Sequence, residues 1–351
     1  MHRWIKTVSL NLAFLAFGVI GLELVFGSWL ATKPLNQLLI ARNANVYYTI
    51  DGLAGSWTAR YTNDEWGLRG SYPSIADIDV LTIGGSTTDQ RFIDDKETWQ
   101  AVIQANSIKD GTPIHIASAG VDGQTTSGQL YAFSVWFDLI PDLKPKWILA
   151  YIGANEVDRP DEFDAMVSDN RGLKHAIIEN SAIYRLYRVL RGMVIAERYG
   201  LNHNSEVPKG DWRTIAMPTD GLSSADQRNL AGYPQRLTAL SQRIHQFGAT
   251  PIFVTQPLAH FRPLGDRLAV RGDGDIKRYA VLRKLNDTLL SSCESLKAIC
   301  IDLERELTFG DEDFYDIVHN TPSGTRKIGD YLYSKLKPII GEYLQKNNRT
   351  H

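Results

Sequence analysis

The chain has little cysteine, little net charge and a single long hydrophobic run. Its 351 residues include two cysteines, Cys293 and Cys300, too few for a disulfide scaffold or a four-cysteine zinc site. Lysine and arginine number 38 against 40 aspartates and glutamates, for a net charge of −2. No basic stripe is visible, which argues against a nucleic-acid partner. Because 43% of the residues are hydrophobic, we expect a globular protein that acts on something small or on part of a polymer.

The long hydrophobic run lies near the N-terminus. Residues 8–30 contain one charge, Glu23, and a helix of this length would cover the roughly 30 Å hydrocarbon core of a bilayer. Arg3 and Lys6 precede the run and favour a cytoplasmic N-terminus. We predict an uncleaved, single-span anchor over residues 1–32, with a cleaved signal peptide as the alternative. Glu23 is expected near the outer interface, within reach of water or headgroups, or in contact with a membrane partner.

After the anchor, short apolar runs alternate with amphipathic patterns. Residues 33–75 are predicted as a connecting and edge region, and residues 76–346 as one domain with an insertion at about 160–225. Alternation of strands and helices implies crossover connections and a parallel sheet covered on both faces, so the fold class is α/β. The predicted strands are 77–83, 113–117, 147–152, 251–255 and 298–302. The predicted helices are 96–108, 128–140, 182–197, 226–247 and 324–345, and Pro338 is expected to kink or split the last one.

The two cysteines flank a short loop between a predicted helix and a predicted strand. Export of the domain would place Cys293 and Cys300 in an oxidising compartment. A disulfide and two free buried thiols both remain open on the sequence alone.

Small and polar residues follow the predicted strands, at the edge where ligands bind in an open parallel sheet. Ser86, Gly120 and Asn155 follow the first three strands, and Asp316 and His319 come after the last strand. A serine nucleophile needs a base, a group that orients the base, and donors for the oxyanion. We therefore predict a catalytic triad of Ser86, His319 and Asp316. The oxyanion hole would combine the N–H groups of Ser86 and Gly120 with the side-chain amide of Asn155.

Other polar residues are weaker candidates. Thr87 stands beside the predicted nucleophile, Gln256 follows the fourth strand, and Arg69 precedes the first; each is a candidate for substrate binding. His260 is expected to be structural or to contact substrate. The predicted chemistry needs no metal and no organic cofactor.

These residues stand in blocks that resemble a known family. In type and in order they are similar to those of the SGNH (GDSL-type) hydrolase superfamily, over about residues 77–345. The four blocks are Gly84-Gly85-Ser86-Thr87-Thr88, Ser118-Ala119-Gly120, Gly153-Ala154-Asn155-Glu156 and Asp316-Ile317-Val318-His319. The resemblance implies a flavodoxin-like, three-layer α/β/α fold and the residue roles given above. It has two departures, because Gly85 replaces the family's Asp and Glu156 stands where Asp is common.

The first block also points to a subgroup of that family. Together with Glu97-Thr98-Trp99 and the upstream Gly67-Leu68-Arg69-Gly70, it is similar to membrane-anchored SGNH proteins of bacterial envelope and exopolysaccharide systems. This implies a single-pass protein of the bacterial inner membrane with its catalytic domain in the periplasm. The expected activity is hydrolysis of O-acyl esters, O-acetyl first among them, on a polysaccharide or glycolipid through an acyl-enzyme.

Two alternatives to hydrolysis remain open on the sequence. An O-acetyltransferase of exopolysaccharide modification would use the same site and receive acyl groups from a multipass membrane partner. A non-catalytic assembly factor would retain the fold without the chemistry.

Overall fold

The computed structural model describes residues 2–29, 40–51, 55–157, 180–198, 210–218 and 222–348, together with residues 38 and 177. Its strands are β1 (Asn45–Asp51), β2 (Ser56–Thr62), β3 (Arg69–Gly70), β4 (Val80–Gly84), β5 (Ile116–Gly120), β6 (Trp147–Tyr151), β7 (Trp212–Ala216), β8 (Thr250–Val254), β9 (Phe261–Leu264), β10 (Arg267–Arg271) and β11 (Ile299–Ile301). Its α-helices are α1 (His2–Phe26), α2 (Ser86–Asp89), α3 (Trp99–Lys109), α4 (Thr126–Val135), α5 (Ala154–Val157), α6 (Ala182–Arg198), α7 (Ser224–Gln246), α8 (Ile276–Ser292), α9 (Leu303–Glu306) and α10 (Pro322–Asn348).

Six of these strands form the central sheet, in the order β11-β8-β6-β4-β5-β3. The first five strands in that order pair in parallel, and β3 adds an antiparallel edge against β5. Numbered along the chain, the parallel strands follow the order 2-1-3-4-5 of flavodoxin-like sheets. The strand order reverses between β4 and β6, where such sheets bind their ligands. The predicted α/β fold class is confirmed.

Helices cover both faces of the sheet. Leu81 and Ile83 of β4 pack into a core shared with α4, α7 and α8, whereas Val80 faces a second core shared with α3 and α10. Successive residues of a strand point to opposite faces, so the apolar residues Val80, Leu81 and Ile83 of β4 contribute to both cores. The result is the three-layer α/β/α arrangement expected from the sequence.

The five predicted strands are present to within three residues at each end. The helix predicted over 128–140 is shorter, since α4 ends at Val135 and a 3₁₀ turn (Phe137–Leu139) follows. Pro338 does not split the last helix, because α10 runs through it to Asn348. Burial of Leu332 and Leu336 in the core before it, and of Ile340 after it, offsets the backbone hydrogen bond that proline cannot donate.

Smaller sheets were not foreseen. Strands β1 and β2 form an antiparallel hairpin within the predicted connecting region, and β7 pairs with β10 in a three-stranded sheet. Within the predicted insertion, α6 and β7 are described, and the helix predicted at 182–197 is confirmed. Residues 30–32 of the predicted anchor and much of the insertion lie outside the described residues. The division of the chain at 32, 75 and 346 stays a prediction.

The N-terminal helix is long and apolar. Its segment Trp4–Phe26 has 23 residues and a mean hydropathy of 2.0, and none of its most apolar window is buried. By length and composition this helix can cross a membrane, although a signal sequence would meet the same test. At the other end of the chain, Cys293 and Cys300 are joined by a disulfide between the end of α8 and β11.

Candidate active site

The predicted nucleophile stands where β4 meets the sheet's carboxyl edge. Ser86 is the first residue of α2, and its buried side chain follows the Gly84-Gly85 turn. A Cβ atom built on Gly85 would lie 2.1 Å from Nδ2 of Asn155. Any side chain at position 85 would therefore displace the Asn155 amide, which gives a structural reason for glycine in this turn.

Asp316 and His319 lie in a tight turn before α10. Oδ1 of Asp316 accepts hydrogen bonds from the backbone N–H groups of Val318, at 2.9 Å, and His319, at 2.6 Å. The N–H of Tyr315 donates to the carbonyl of His319 across the same turn. An aspartate that bonds the backbone two residues on is a common way to stabilise such a turn. The three-residue spacing thus places the acid beside the imidazole.

A hydroxyl, an imidazole and a carboxylate are hydrogen-bonded in series. Ser86 Oγ lies 2.6 Å from Nε2 of His319, and Nδ1 of His319 lies 2.6 Å from Oδ2 of Asp316. All three side chains are buried. The ring of Tyr315 stacks on the imidazole of His319, with 5.5 Å between the ring centroids and an interplanar angle of 10°. Ring orientation is therefore held both by the carboxylate and by an aromatic face.

Three groups predicted as oxyanion donors surround Ser86. The Ser86 N–H is in the first turn of α2, where backbone donors have no intrahelical acceptor. The Gly120 N–H reaches Oγ of Ser118 at 3.4 Å, beyond the range of about 2.7–3.2 Å for an ordinary bond. Asn155 donates one amide proton to the carbonyl of Gln124 at 3.1 Å, which orients the amide and leaves its second proton for another acceptor. Their role as an oxyanion hole stays a prediction.

Gly120 also has a packing role. A Cβ atom at this position would lie 2.2 Å from the backbone nitrogen of Asp89 and 2.6 Å from the carbonyl carbon of Thr88. Glycine therefore lets β5 approach the backbone of α2, the helix that carries the predicted nucleophile. This close approach gives a structural reason for glycine here, independent of any donor role.

The weaker candidates belong to the scaffold around α2. Gln256 donates to Oγ1 of Thr87 at 2.7 Å and accepts from the N–H of Ala154 at 2.6 Å, which ties the loops after β4 and β6 together. Arg69 is 4% exposed; it donates to the carbonyls of Asp89, Gln90 and Ile93 and pairs with Asp95 at 2.8 Å. These contacts support positioning roles, and substrate binding by Thr87, Gln256 or Arg69 stays a prediction.

Glu156 has a bracing role that sequence reasoning missed. Its carboxylate accepts the backbone N–H of Thr126 at the start of α4 and pairs with Arg236 of α7 at 3.2 Å. Arg236 also bonds the side chain of Asn229. Glu156 thus joins two helices, α4 and α7, directly beside Asn155. One sign of this role was present in the sequence, the position of Glu156 next to Asn155. The partners of its carboxylate, Thr126 and Arg236, lie 30 and 80 residues away in the chain.

Another buried carboxylate, Asp89, lies one turn after the predicted nucleophile. Asp89 accepts a hydrogen bond from the hydroxyl of Tyr61 at 2.8 Å and lies 3.4 Å from the guanidinium of Arg91. Burial raises the pKa of Asp89, and the nearby arginines oppose that rise. Among the described residues, no group of three or more His, Cys, Asp or Glu side chains is arranged to hold a metal ion.

The fold and site together define a three-layer α/β protein with a buried Ser–His–Asp series at the carboxyl edge of its sheet. No protein-family model and no curated protein matches the chain. Similar solved structures include a catalytic mutant of an acetylxylan esterase from Geobacillus stearothermophilus (13% identity, covering 73% of this chain and 93% of that chain, TM-score 0.43). The chain is also similar to a GDSL-like lipase from Bacteroides thetaiotaomicron, with 12% identity, 78% of this chain and 92% of that chain covered, and a TM-score of 0.39. It is similar as well to the esterase EstA from Pseudoalteromonas sp., with 13% identity, 75% of this chain and 99% of that chain covered, and a TM-score of 0.39. Esterases and a GDSL-like lipase are thus among the chain's structural neighbours, at low sequence identity.

Proposed function

We propose that the chain is a serine ester hydrolase of the SGNH type. One observation carries the proposal: Ser86 Oγ lies 2.6 Å from His319 Nε2, and His319 Nδ1 lies 2.6 Å from Asp316 Oδ2. Such a series lets the imidazole take the serine proton while the carboxylate fixes its tautomer. Ser86 and His319 are 233 residues apart in the chain, so the whole fold is needed to bring them together.

The reaction would proceed through an acyl-enzyme. Ser86 Oγ attacks the ester carbonyl carbon as its proton passes to Nε2 of His319, and the imidazolium then protonates the leaving alcohol. A water molecule, deprotonated by the same imidazole, attacks the acyl carbon, and the acid leaves as the imidazolium returns the proton to Ser86 Oγ. Hydrogen bonds from Ser86, Gly120 and Asn155 would stabilise the tetrahedral oxyanion, and losing one such donor typically costs about 3–4 kcal/mol of activation free energy.

The proposed substrates are O-acyl esters, O-acetyl first, on a polysaccharide or glycolipid of the bacterial envelope. Helix α1 would hold the chain in the inner membrane, and Arg3 and Lys6 before it favour a cytoplasmic N-terminus. The catalytic domain would then be periplasmic. The disulfide between Cys293 and Cys300 supports this placement, since disulfides persist in oxidising compartments.

A fluorophosphonate probe tests the nucleophile. We expect wild-type protein to be labelled covalently and Ser86→Ala to lose the label, because the probe reacts with an activated serine hydroxyl. Ser134→Ala, which removes an exposed hydroxyl bonded to the backbone of α4, is the matched control and should label as wild type does. Equal labelling of Ser86→Ala would contradict the proposal. So would unlabelled wild type that melts cooperatively, which would favour the assembly factor.

A second experiment separates hydrolysis from transfer. Purified full-length chain is given an acetyl ester, with and without oligosaccharide acceptors. Free acetate at the same rate in both samples supports the hydrolase. Formation of acetylated sugar in place of acetate would contradict the hydrolase and indicate the O-acetyltransferase. In the cell, a multipass membrane protein would then supply the acyl groups.

A further inference from the structure

We propose that helix α6 is a second membrane contact, lying along the outer surface of the bilayer that α1 spans, with its apolar face in the lipid. The proposal goes beyond the catalytic site and rests on the proposed anchoring by α1. Three observations carry it. Helix α6 has an exposed apolar face, a carboxylate of α1 binds the first turn of α6, and an arginine of α6 binds the last residue of α1.

The apolar face of α6 is continuous and exposed. Ile183, Leu186, Tyr187, Leu190 and Val194 follow one another at helical spacing and are 44% to 64% exposed. Within the described part of the chain, these side chains therefore face solvent rather than the core. Five large apolar residues on one stripe of a helix are more than the scattered exposure of an ordinary surface.

The start of α6 is bound to the last turn of α1. The carboxylate of Glu23 accepts hydrogen bonds from the backbone N–H groups of Ala182, at 2.9 Å, and Ile183, at 3.1 Å. It also accepts the hydroxyl of Ser181 at 2.7 Å. A negative charge at this position complements the positive end of the α6 dipole and two backbone donors that have no partner inside the helix. Glu23, the one charge in the apolar run, thus binds groups of its own chain at the start of α6.

The contact is reciprocal. Arg185 of α6 donates to the carbonyl of Phe26, the last residue of α1, and to Oγ of Ser28 at 3.0 Å. The N–H of Ser28 donates to the carbonyl of Asn180 at 2.8 Å, and Ser28 is buried. Each helix end thus supplies the groups that the other end lacks. Because the last turn of α1 must lie near the membrane surface, α6 begins there as well.

The chemistry of α6 fits a lipid surface. An interfacial helix buries a large apolar face among the acyl chains and carries basic residues toward the headgroups. The sequence of α6 has arginines at 185, 188 and 191 before its first acid, Glu197. Trp29, 41% exposed beside the same end of α1, is a residue type enriched at membrane interfaces. The same bilayer that surrounds α1 would therefore cover the apolar face of α6.

The test measures the depth of single positions in a membrane. Full-length chain is reconstituted in nanodiscs of phosphatidylethanolamine and phosphatidylglycerol, and a thiol-reactive fluorophore is placed on Leu190→Cys. Ile108→Cys, an equally exposed apolar position on α3 (57% against 54%), is the matched control, and Phe14→Cys reports on the span. The native cysteines are oxidised and do not react. Lipids with nitroxides on their acyl chains serve as quenchers.

We expect the labels at positions 14 and 190 to be quenched several-fold more than the label at 108. Quenching at 14 with none above the control at 190 would overturn the α6 proposal while leaving the anchor intact. No quenching at 14 would overturn the anchoring and the α6 proposal together. Glu23→Ala should lower quenching at 190 at least twofold without changing it at 14, and unchanged quenching at 190 would refute the placement of α6 by Glu23.

Discussion

His260 is a buried histidine near the proposed triad. Its Nε2 has no hydrogen-bond partner among the described residues. Burial lowers its pKa from 6.5 to about 4; the charges of Asp273 and Asp316 act against this shift, and those of Arg271 and Arg278 add to it. The side chain is therefore neutral in the folded protein at pH 7. Whether His260 is structural or contacts substrate stays a prediction.

Replacing His260 should reduce the loss of unfolding free energy that occurs as the pH falls from about 6.5 to 4. Between about pH 6.5 and pH 4 the unfolded chain binds a proton that the folded chain does not, so the free energy of unfolding falls as the pH falls. At pH 4 the loss from this residue would reach up to about 3 kcal/mol. Urea denaturation of wild type and His260→Gln at neutral and acid pH measures the difference. An equal acid-side loss in both proteins would contradict the prediction.

The predicted site residues were accessible from the sequence because each stands near the end of a strand or in a short late turn. Ser86, Asn155 and His319 needed no knowledge of distant contacts beyond the parallel order of the strands. The pairing of Glu156 with Arg236 depends on how α5 and α7 pack, 80 residues apart. The scaffold role of Arg69 was likewise hidden, since its carbonyl partners lie 20 to 24 residues away.

At the scale of elements, the close approach of β5 and α2 sets the position of Ser86, the proposed nucleophile. Gly120→Ala would place a methyl group against the backbone of α2, and helix backbone cannot rotate away as a side chain can. We expect a loss of about 1–3 kcal/mol of unfolding free energy from overpacking. The fluorophosphonate labelling rate should fall roughly 100-fold, the effect expected of a misplacement of about 1 Å.

Gly341 provides the matched control for this substitution. It lies inside α10, and a Cβ atom there would meet nothing within 4 Å. Gly341→Ala should therefore leave labelling unchanged and stabilise the helix by roughly 0.5–1 kcal/mol. Urea denaturation and labelling kinetics on both variants provide the measurements. Wild-type labelling by a folded Gly120→Ala protein would show that α2 tolerates the methyl group.

The strands of the parallel sheet could be predicted, whereas β3 and β7 could not, for a physical reason. Strands such as β6 are buried on both faces and read as continuous apolar runs bounded by polar residues. Strand β3 has two residues, and β7 is half exposed and paired with a strand more than fifty residues later. Such short or non-local pairings leave no periodic pattern in the sequence.

At the scale of the whole molecule, the disulfide joins the helical layer to the edge of the sheet. Cys293 directly follows α8, and Cys300 lies in β11, seven residues later. For so short a loop, the chain-entropy relation gives a stabilisation of roughly 2 kcal/mol. The Cys293→Ser/Cys300→Ser double variant should lose that amount in urea denaturation, and reduced wild type should match it. Equal stability of oxidised wild type and the double variant would contradict the prediction.

The separation of Ser86 from His319 has a consequence for synthesis of the protein. The proposed anchor and the proposed nucleophile leave the ribosome early, whereas the imidazole of His319 follows only after all five parallel strands have been made. A nascent chain would therefore carry an inert serine until its final segment folds. Prematurely terminated chains that stop before the turn at 316–319 would insert in the membrane without cleaving anything there.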